Sequence, residues 1–110
     1  MQKVLILITA VVVGLGLFAA PAGAGGGAAK IVKAVNFEFK PKNLTIPKGT
    51  KVTWQNVVGK HTVTIKSLNY DKTISVDHKT VSRTFGQKGT FPYVCRFHKS
   101  FGMTGKIIVQ

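Results

Sequence analysis

The chain has 110 residues, room for one domain with a modest core, and its 16 Lys and Arg against three acidic residues give a formal net charge of +13. Hydrophobic residues make up 45% of it, which excludes a disordered polyelectrolyte, and a single cysteine excludes a disulfide-stapled scaffold. A pI near 10.3 invites nucleic acid, but the basic residues are scattered and no stacking motif accompanies them.

The N-terminus reads as an export signal. Met1-Gln2-Lys3 is positively charged, Val4 to Ala20 are almost wholly apolar, and Ala22-Gly23-Ala24 has the small-x-small form that signal peptidase cuts. Residues 1–24 are therefore expected to be a secretory signal. The apolar stretch also approaches the length of a spanning helix, so an uncleaved membrane anchor through residues 4–20 is the alternative. In either case the domain is expected outside the cytoplasm, in the periplasm or another extracytoplasmic space. Residues 25–29, Gly25-Gly26-Gly27-Ala28-Ala29, form a leader with too little side chain to pack.

From Lys30 onward the hydrophobic pattern has the period of strands. Ile31, Val35, Phe37 and Phe39 recur on one parity and predict a core face, and Pro41 breaks the run. Leu44 and Ile46 alternate again, and Lys48-Gly49 supplies a turn before Val52 and Trp54. His61, Val63 and Ile65 share a face, so a strand that buries the two aliphatics carries His61 to its buried end. Between Lys66 and Lys79 the chain is mostly polar, with Ile74 and Val76 predicting a short strand and Asp77-His78-Lys79 a solvated loop. Val81 to Phe85 is a further strand, Gln87-Lys88-Gly89 a turn, and Phe91, Tyr93 and Cys95 one face of the next strand. Lys106 to Val109 closes the chain. Seven to eight short strands bounded by turns, with no helical period, predict an all-β Greek-key sandwich over residues 30–110.

Chemistry concentrates in the last sixteen residues. Cys95, His98 and Met103 bring a thiolate, an imidazole and a thioether into nine positions of a turn-rich segment. Taken singly, each is commonly core or solvated surface. Together with a nitrogen from His61 they make the two-His, one-Cys, weak-Met set that suits copper in two oxidation states. Cysteine and histidine suit zinc as well; the methionine favours copper. An odd cysteine in an exported domain calls for a role as a reactive thiol, an intermolecular bridge or a ligand. No set of catalytic acid, base and nucleophile stands beside it, so an enzyme is not expected.

The segment Gly89-Thr90-Phe91-Pro92-Tyr93-Val94-Cys95-Arg96-Phe97-His98, followed by Met103 and Gly105, resembles the copper loop of the cupredoxins, the blue copper proteins. Upstream, Pro47-Lys48-Gly49-Thr50-Lys51-Val52-Thr53-Trp54-Gln55-Asn56 and His61-Thr62-Val63 are similar to the strand and first histidine of the same family. The plastocyanin and pseudoazurin branch is the nearest, and the likeness covers about residues 30–110. It implies one type 1 copper with His61 and His98 as imidazole ligands, Cys95 as the thiolate and Met103 as the long axial ligand. It further implies a one-electron carrier that passes its electron through His98; the alternative is a protein that stores or delivers copper.

Two positions depart from the family's common pattern. Thr62 stands where many members place an asparagine that ties the ligand-bearing loops together, with Asn56 a candidate for part of that role. Arg96 replaces a small hydroxyl residue and is expected to point to solvent. Phe97 and Phe101, flanking His98, are expected either to pack or to form an apolar collar for a partner. Without Lys3, 15 Lys and Arg face Glu38, Asp71 and Asp77, a net charge of +12. The expected partner is an acidic redox protein such as a cytochrome, oxidase or reductase, or else an anionic membrane surface; no nucleic acid is expected, and the protein is expected to be a monomer.

Overall fold

The alternation seen from Lys30 onward becomes nine strands in a computed structural model that describes residues 28–110. The expected signal at residues 1–24 and the leader glycines Gly25 to Gly27 lie outside the described residues. The strands are β1 (Ala29–Val35), β2 (Glu38–Lys40), β3 (Asn43–Ile46), β4 (Thr50–Asn56), β5 (His61–Ile65), β6 (Tyr70–Ile74), β7 (Thr80–Phe85), β8 (Gly89–Val94) and β9 (Thr104–Val109). They form two mixed sheets, one in the order β3-β9-β8-β5-β6 and the other β2-β1-β4-β7. The pairs β3–β9 and β1–β4 are parallel, and the rest antiparallel. This is the all-β sandwich that the strand spacing predicts, with one strand more than its upper count.

The extra strand arises where a single run was expected from Ile31 to Phe39. Asn36 and Phe37 instead form a tight turn, with Phe37 at φ 57°, and β1 and β2 pair as a hairpin with Ala34 opposite Phe39. Reversing the chain resets the alternation, so the predicted parity fails before the turn and holds after it: Ile31 is 57% exposed and Phe37 45%, while Val32 and Ala34 are buried, and Phe39 is buried as expected. Val32 also lies in register with Trp54 of the parallel β4, and both face the opposite sheet.

Trp54 fills the centre of the sandwich. It has no exposed surface and meets Tyr93 edge-on at 5.4 Å between ring centroids and Phe85 at 6.3 Å. Burying one such ring is worth about 3 kcal/mol, which accounts for Trp54 as core. The expected strand around Ile74 and Val76 lies earlier in the chain. A 3-10 turn at Lys66–Leu68 and a left-handed Asn69 send β6 back along β5 from Tyr70, which leaves Val76 exposed beyond the strand end.

Three strand ends meet at one pole of the sandwich: the start of β5 at His61, the end of β8 at Val94 and the start of β9 at Thr104. Between β8 and β9 the chain makes a short helical turn, Arg96–Phe101, that ends in Gly102 at φ 81°. The turn closes on itself, since the Cys95 N–H donates to the Met103 carbonyl (3.0 Å) and the Met103 N–H to the His98 carbonyl (3.3 Å).

Candidate metal centre

His61 opens β5 and is 1% exposed although it is a titratable ring. The loop before it is held by Asn56, whose Nδ2 donates to the Gly59 carbonyl at 2.9 Å. Asn56 thus supports the histidine from its own side and does not bridge to the cysteine loop. His61 Nε2 lies 2.6 Å from the Val58 carbonyl. A carbonyl only accepts, so Nε2 carries the proton and Nδ1 is left as a free donor atom. Burial holds the ring's pKa below its ordinary value, helped by the charge of His98 and opposed by the Val58 hydrogen bond. A neutral imidazole is the form that binds metal.

Cys95 follows β8 and is the one free cysteine, with no exposed surface. Its Sγ lies 3.8 Å from His61 Nδ1 and 3.4 Å from His98 Nδ1. The ligating atoms of His61, Cys95 and His98 all fall within 4.8 Å of one another, a spacing that fits one ion bonded at roughly 2.0–2.3 Å to each. Met103 is nearby and fully buried. No carboxylate joins the group, so the donors are soft sulfur and borderline nitrogen, and the set fits copper. The four residues singled out in the sequence thus gather at one pole. His78 does not join them: it is exposed in its loop, its N–H donating to Ser75 Oγ.

Two side chains that carry no sequence signal complete the surroundings. Thr64 and Asp71 reach the cysteine loop through a chain of bonds. The Arg96 N–H donates to Thr62 Oγ1 at 2.8 Å, Thr62 and Thr64 hydroxyls lie 3.1 Å apart, and the Thr64 hydroxyl donates to Asp71 Oδ1 at 2.7 Å. Asp71 in turn takes two bonds from the Arg96 guanidinium, each 3.1 Å. Arg96 is exposed, as expected, and its guanidinium is at the same time clamped on Asp71. Thr62 also directs its own N–H at Cys95 Sγ, 3.5 Å away.

The Asp71 carboxyl is held below its ordinary range, first by the Thr64 hydroxyl and then by Arg96. A depressed carboxylate contributes stability that is complete above its unfolded value, about 3.9, and is lost as pH falls through the lower folded value. In Asp71→Asn the fall in melting temperature of the copper-free protein below about pH 4 should be shallower than in the parent. Superimposable acid limbs would contradict it.

Above the group the surface is apolar with a cationic rim. Phe37, missed in the sequence because it was assigned to the core, stacks on Phe101 at 4.7 Å and meets the His98 ring edge-on at 4.9 Å. Phe97 is 47% exposed, and Lys60 and Arg96 each lie 5.7 Å from its ring. A depression lined by Phe37, Gly59, Lys60, His61, Phe97 and His98 exposes the edge of the second imidazole. Phe97 and Phe101 both stay exposed beside His98, while Phe101 also packs on Phe37.

The chain is similar to known proteins. The family described as copper binding proteins, plastocyanin/azurin family, matches residues 28–110. The plastocyanin of Nostoc punctiforme is 34% identical over 89 residues, covering 66% of this chain and 64% of that one. The chloroplastic plastocyanin of Tetradesmus obliquus is 30% identical over 84 residues, covering 66% of this chain and 58% of its own. The chain thus spans less than two thirds of the length of either relative. Among solved structures, an amicyanin variant in its reduced state superposes with a TM-score of 0.65 at 27% identity, covering 84% of this chain and 90% of the other.

Proposed function

The chain belongs to the plastocyanin/azurin family of copper binding proteins, and from that premise we propose that it is an exported one-electron carrier with a single type 1 copper held by His61, Cys95, His98 and, at longer range, Met103. The observation that carries this reading is the convergence of one buried sulfur and two inward Nδ1 atoms at 3.4–3.8 Å. Copper held by these residues would supply one-electron chemistry between Cu(I) and Cu(II).

The protein's own part is to keep the donors still. Carriers transfer electrons fastest when the site moves little between states, and ligands rooted at strand ends of a packed sandwich resist movement. His61 is fixed by Val58, Cys95 by Thr62 and the Met103 carbonyl, and His98 by the aromatic collar. His98 alone among the three is partly exposed, so its ring edge is where a partner comes nearest. Four ligands leave no position open for a substrate, which makes the activity transfer and not catalysis. The export assignment rests on the pattern of residues 1–24; among the described residues no helix is long and apolar enough to cross a membrane.

The partner proposed is an acidic redox protein. Lys60 and Arg96 stand over the Phe97 ring of the collar, and Glu38 and Asp71 are already paired with Lys40 and Arg96. Association with an anionic partner should slow by at least about tenfold between low and physiological salt; a salt-independent rate would remove the electrostatic argument.

Addition of Cu(II) to the purified domain tests the reading. An intense visible charge-transfer band with reversible voltammetry supports a carrier. A colourless complex defeats the thiolate site, and a coloured but electrochemically irreversible one points to storage or delivery. Met103→Gln should keep copper and lower the midpoint potential, since an amide oxygen in place of the thioether would favour Cu(II). An unchanged or raised midpoint would count against Met103 as a ligand.

A further inference from the structure

The bonds that join Thr62, Thr64, Asp71 and Arg96 form a closed ring, and their directions are forced. An ionised carboxylate has no proton to give, so the Thr64 hydroxyl must donate to Asp71. Its one hydrogen is then spent, so across the 3.1 Å contact Thr64 accepts and Thr62 donates. The Thr62 oxygen consequently turns its lone pairs to the Arg96 N–H. The ring closes because the guanidinium of the same Arg96 binds Asp71 through two parallel bonds. Thr62 and Thr64 are 0% and 8% exposed, so the two hydroxyls have little water to substitute for these partners.

The ring touches the metal site at two atoms. Thr62 follows His61 in the chain, and its N–H meets the Cys95 sulfur while its hydroxyl holds the amide that follows Cys95. Resting on the copper reading above, we propose that Thr64 and Asp71 are positioning residues for the cysteine ligand. Asp71, on β6 and outside the ligand loops, sets the hydroxyl directions that clamp the Cys95–Arg96 peptide to the strand bearing His61. In this way two hydroxyls and a surface carboxylate together do what one longer amide side chain at position 62 would do alone. A like coupling would be lost if Asp71 were only a surface ion pair, because such pairs are worth little by themselves.

Thr64→Val tests this without changing charge or volume. In the copper-free protein, hydrogen exchange at the Arg96 amide should accelerate roughly fivefold, the worth of one net hydrogen bond, while the Tyr93 and Ile107 amides keep their rates. In the copper-loaded protein the visible band should shift and the midpoint fall, because a loosened Thr62 N–H stabilises the thiolate less. Thr64→Ser should restore all three readouts, and Asp71→Ala should add little to Thr64→Val. The proposal is overturned if the Arg96 amide is unaffected, if all amides accelerate equally, or if serine fails to restore them. The exchange measurement needs no metal, so its failure is separate from failure of the parent protein to turn blue.

Discussion

Cys95→Ser should yield a folded protein that no longer shows the intense visible band with Cu(II). The band requires a thiolate sulfur, whose filled orbitals lie high enough to donate charge to Cu(II) at visible energies; a serine oxygen is harder and holds its electrons more tightly. The environment tolerates the exchange. Cys95 is enclosed, and its neighbours are one backbone N–H and two imidazole nitrogens, all able to bond a hydroxyl. The copper-free melting temperature should therefore move by less than about 10 °C. His61→Ala removes one donor but leaves the thiolate, so it should distort the band and weaken copper retention without abolishing colour. A full-strength band in the serine variant would eliminate Cys95 as a ligand and with it the proposed carrier.

The difference between these variants follows from how each donor is placed. Cys95 is held on two sides, by the Met103 carbonyl through its N–H and by Thr62 at its sulfur. His61 is held from outside by a single 2.6 Å bond to Val58 within a loop that Asn56 braces. His98 leans on the rings of Phe37, Phe97 and Phe101 and is the least buried of the three.

How much of this could be read from the chain depended on whether the signal was local. His61, Val63 and Ile65 alternate within one strand, and so do Phe91 and Tyr93, with Cys95 one residue beyond its end; the copper loop is contiguous, and its spacing reports its chemistry. Ile31 and Phe37 were misread because apolar residues occupy both parities of β1 and only the two-residue turn at Asn36 decides which set faces inward. Phe37 then serves the site as a surface ring, a role no periodicity could assign. Thr64 and Asp71 were invisible for another reason. Their bond spans the β5–β6 hairpin, and Asp71 meets Arg96 25 residues away, so the ring exists only once β5, β6 and the cysteine loop are docked together.

Gly105→Ala should be strongly destabilising, costing about 3 kcal/mol or more and lowering the melting temperature by roughly 12–24 °C. Gly105 stands directly opposite Tyr93 in the β8–β9 pair, and the phenol lies across the space where a side chain would be. A Cβ at position 105 would come within 2.8 Å of Tyr93 Cε1 and closer still to the ring carbon bearing the hydroxyl. The backbone there is not left-handed, so the cost is contact alone and not conformation. Tyr93 has nowhere to retreat: it is 3% exposed and wedged between Trp54 at 5.4 Å and Phe39 at 4.8 Å. Displacing it would pull on Val94 and Cys95, so copper binding should weaken along with stability. Tyr93→Leu alone should also destabilise, by opening a cavity, yet combined with Gly105→Ala it should recover part of the loss because the smaller side chain makes room for the methyl. Thermal melts of the two single variants and the double variant decide the matter: additive losses, or a Gly105→Ala protein as stable as the parent, would show that the phenol does not need the glycine beneath it.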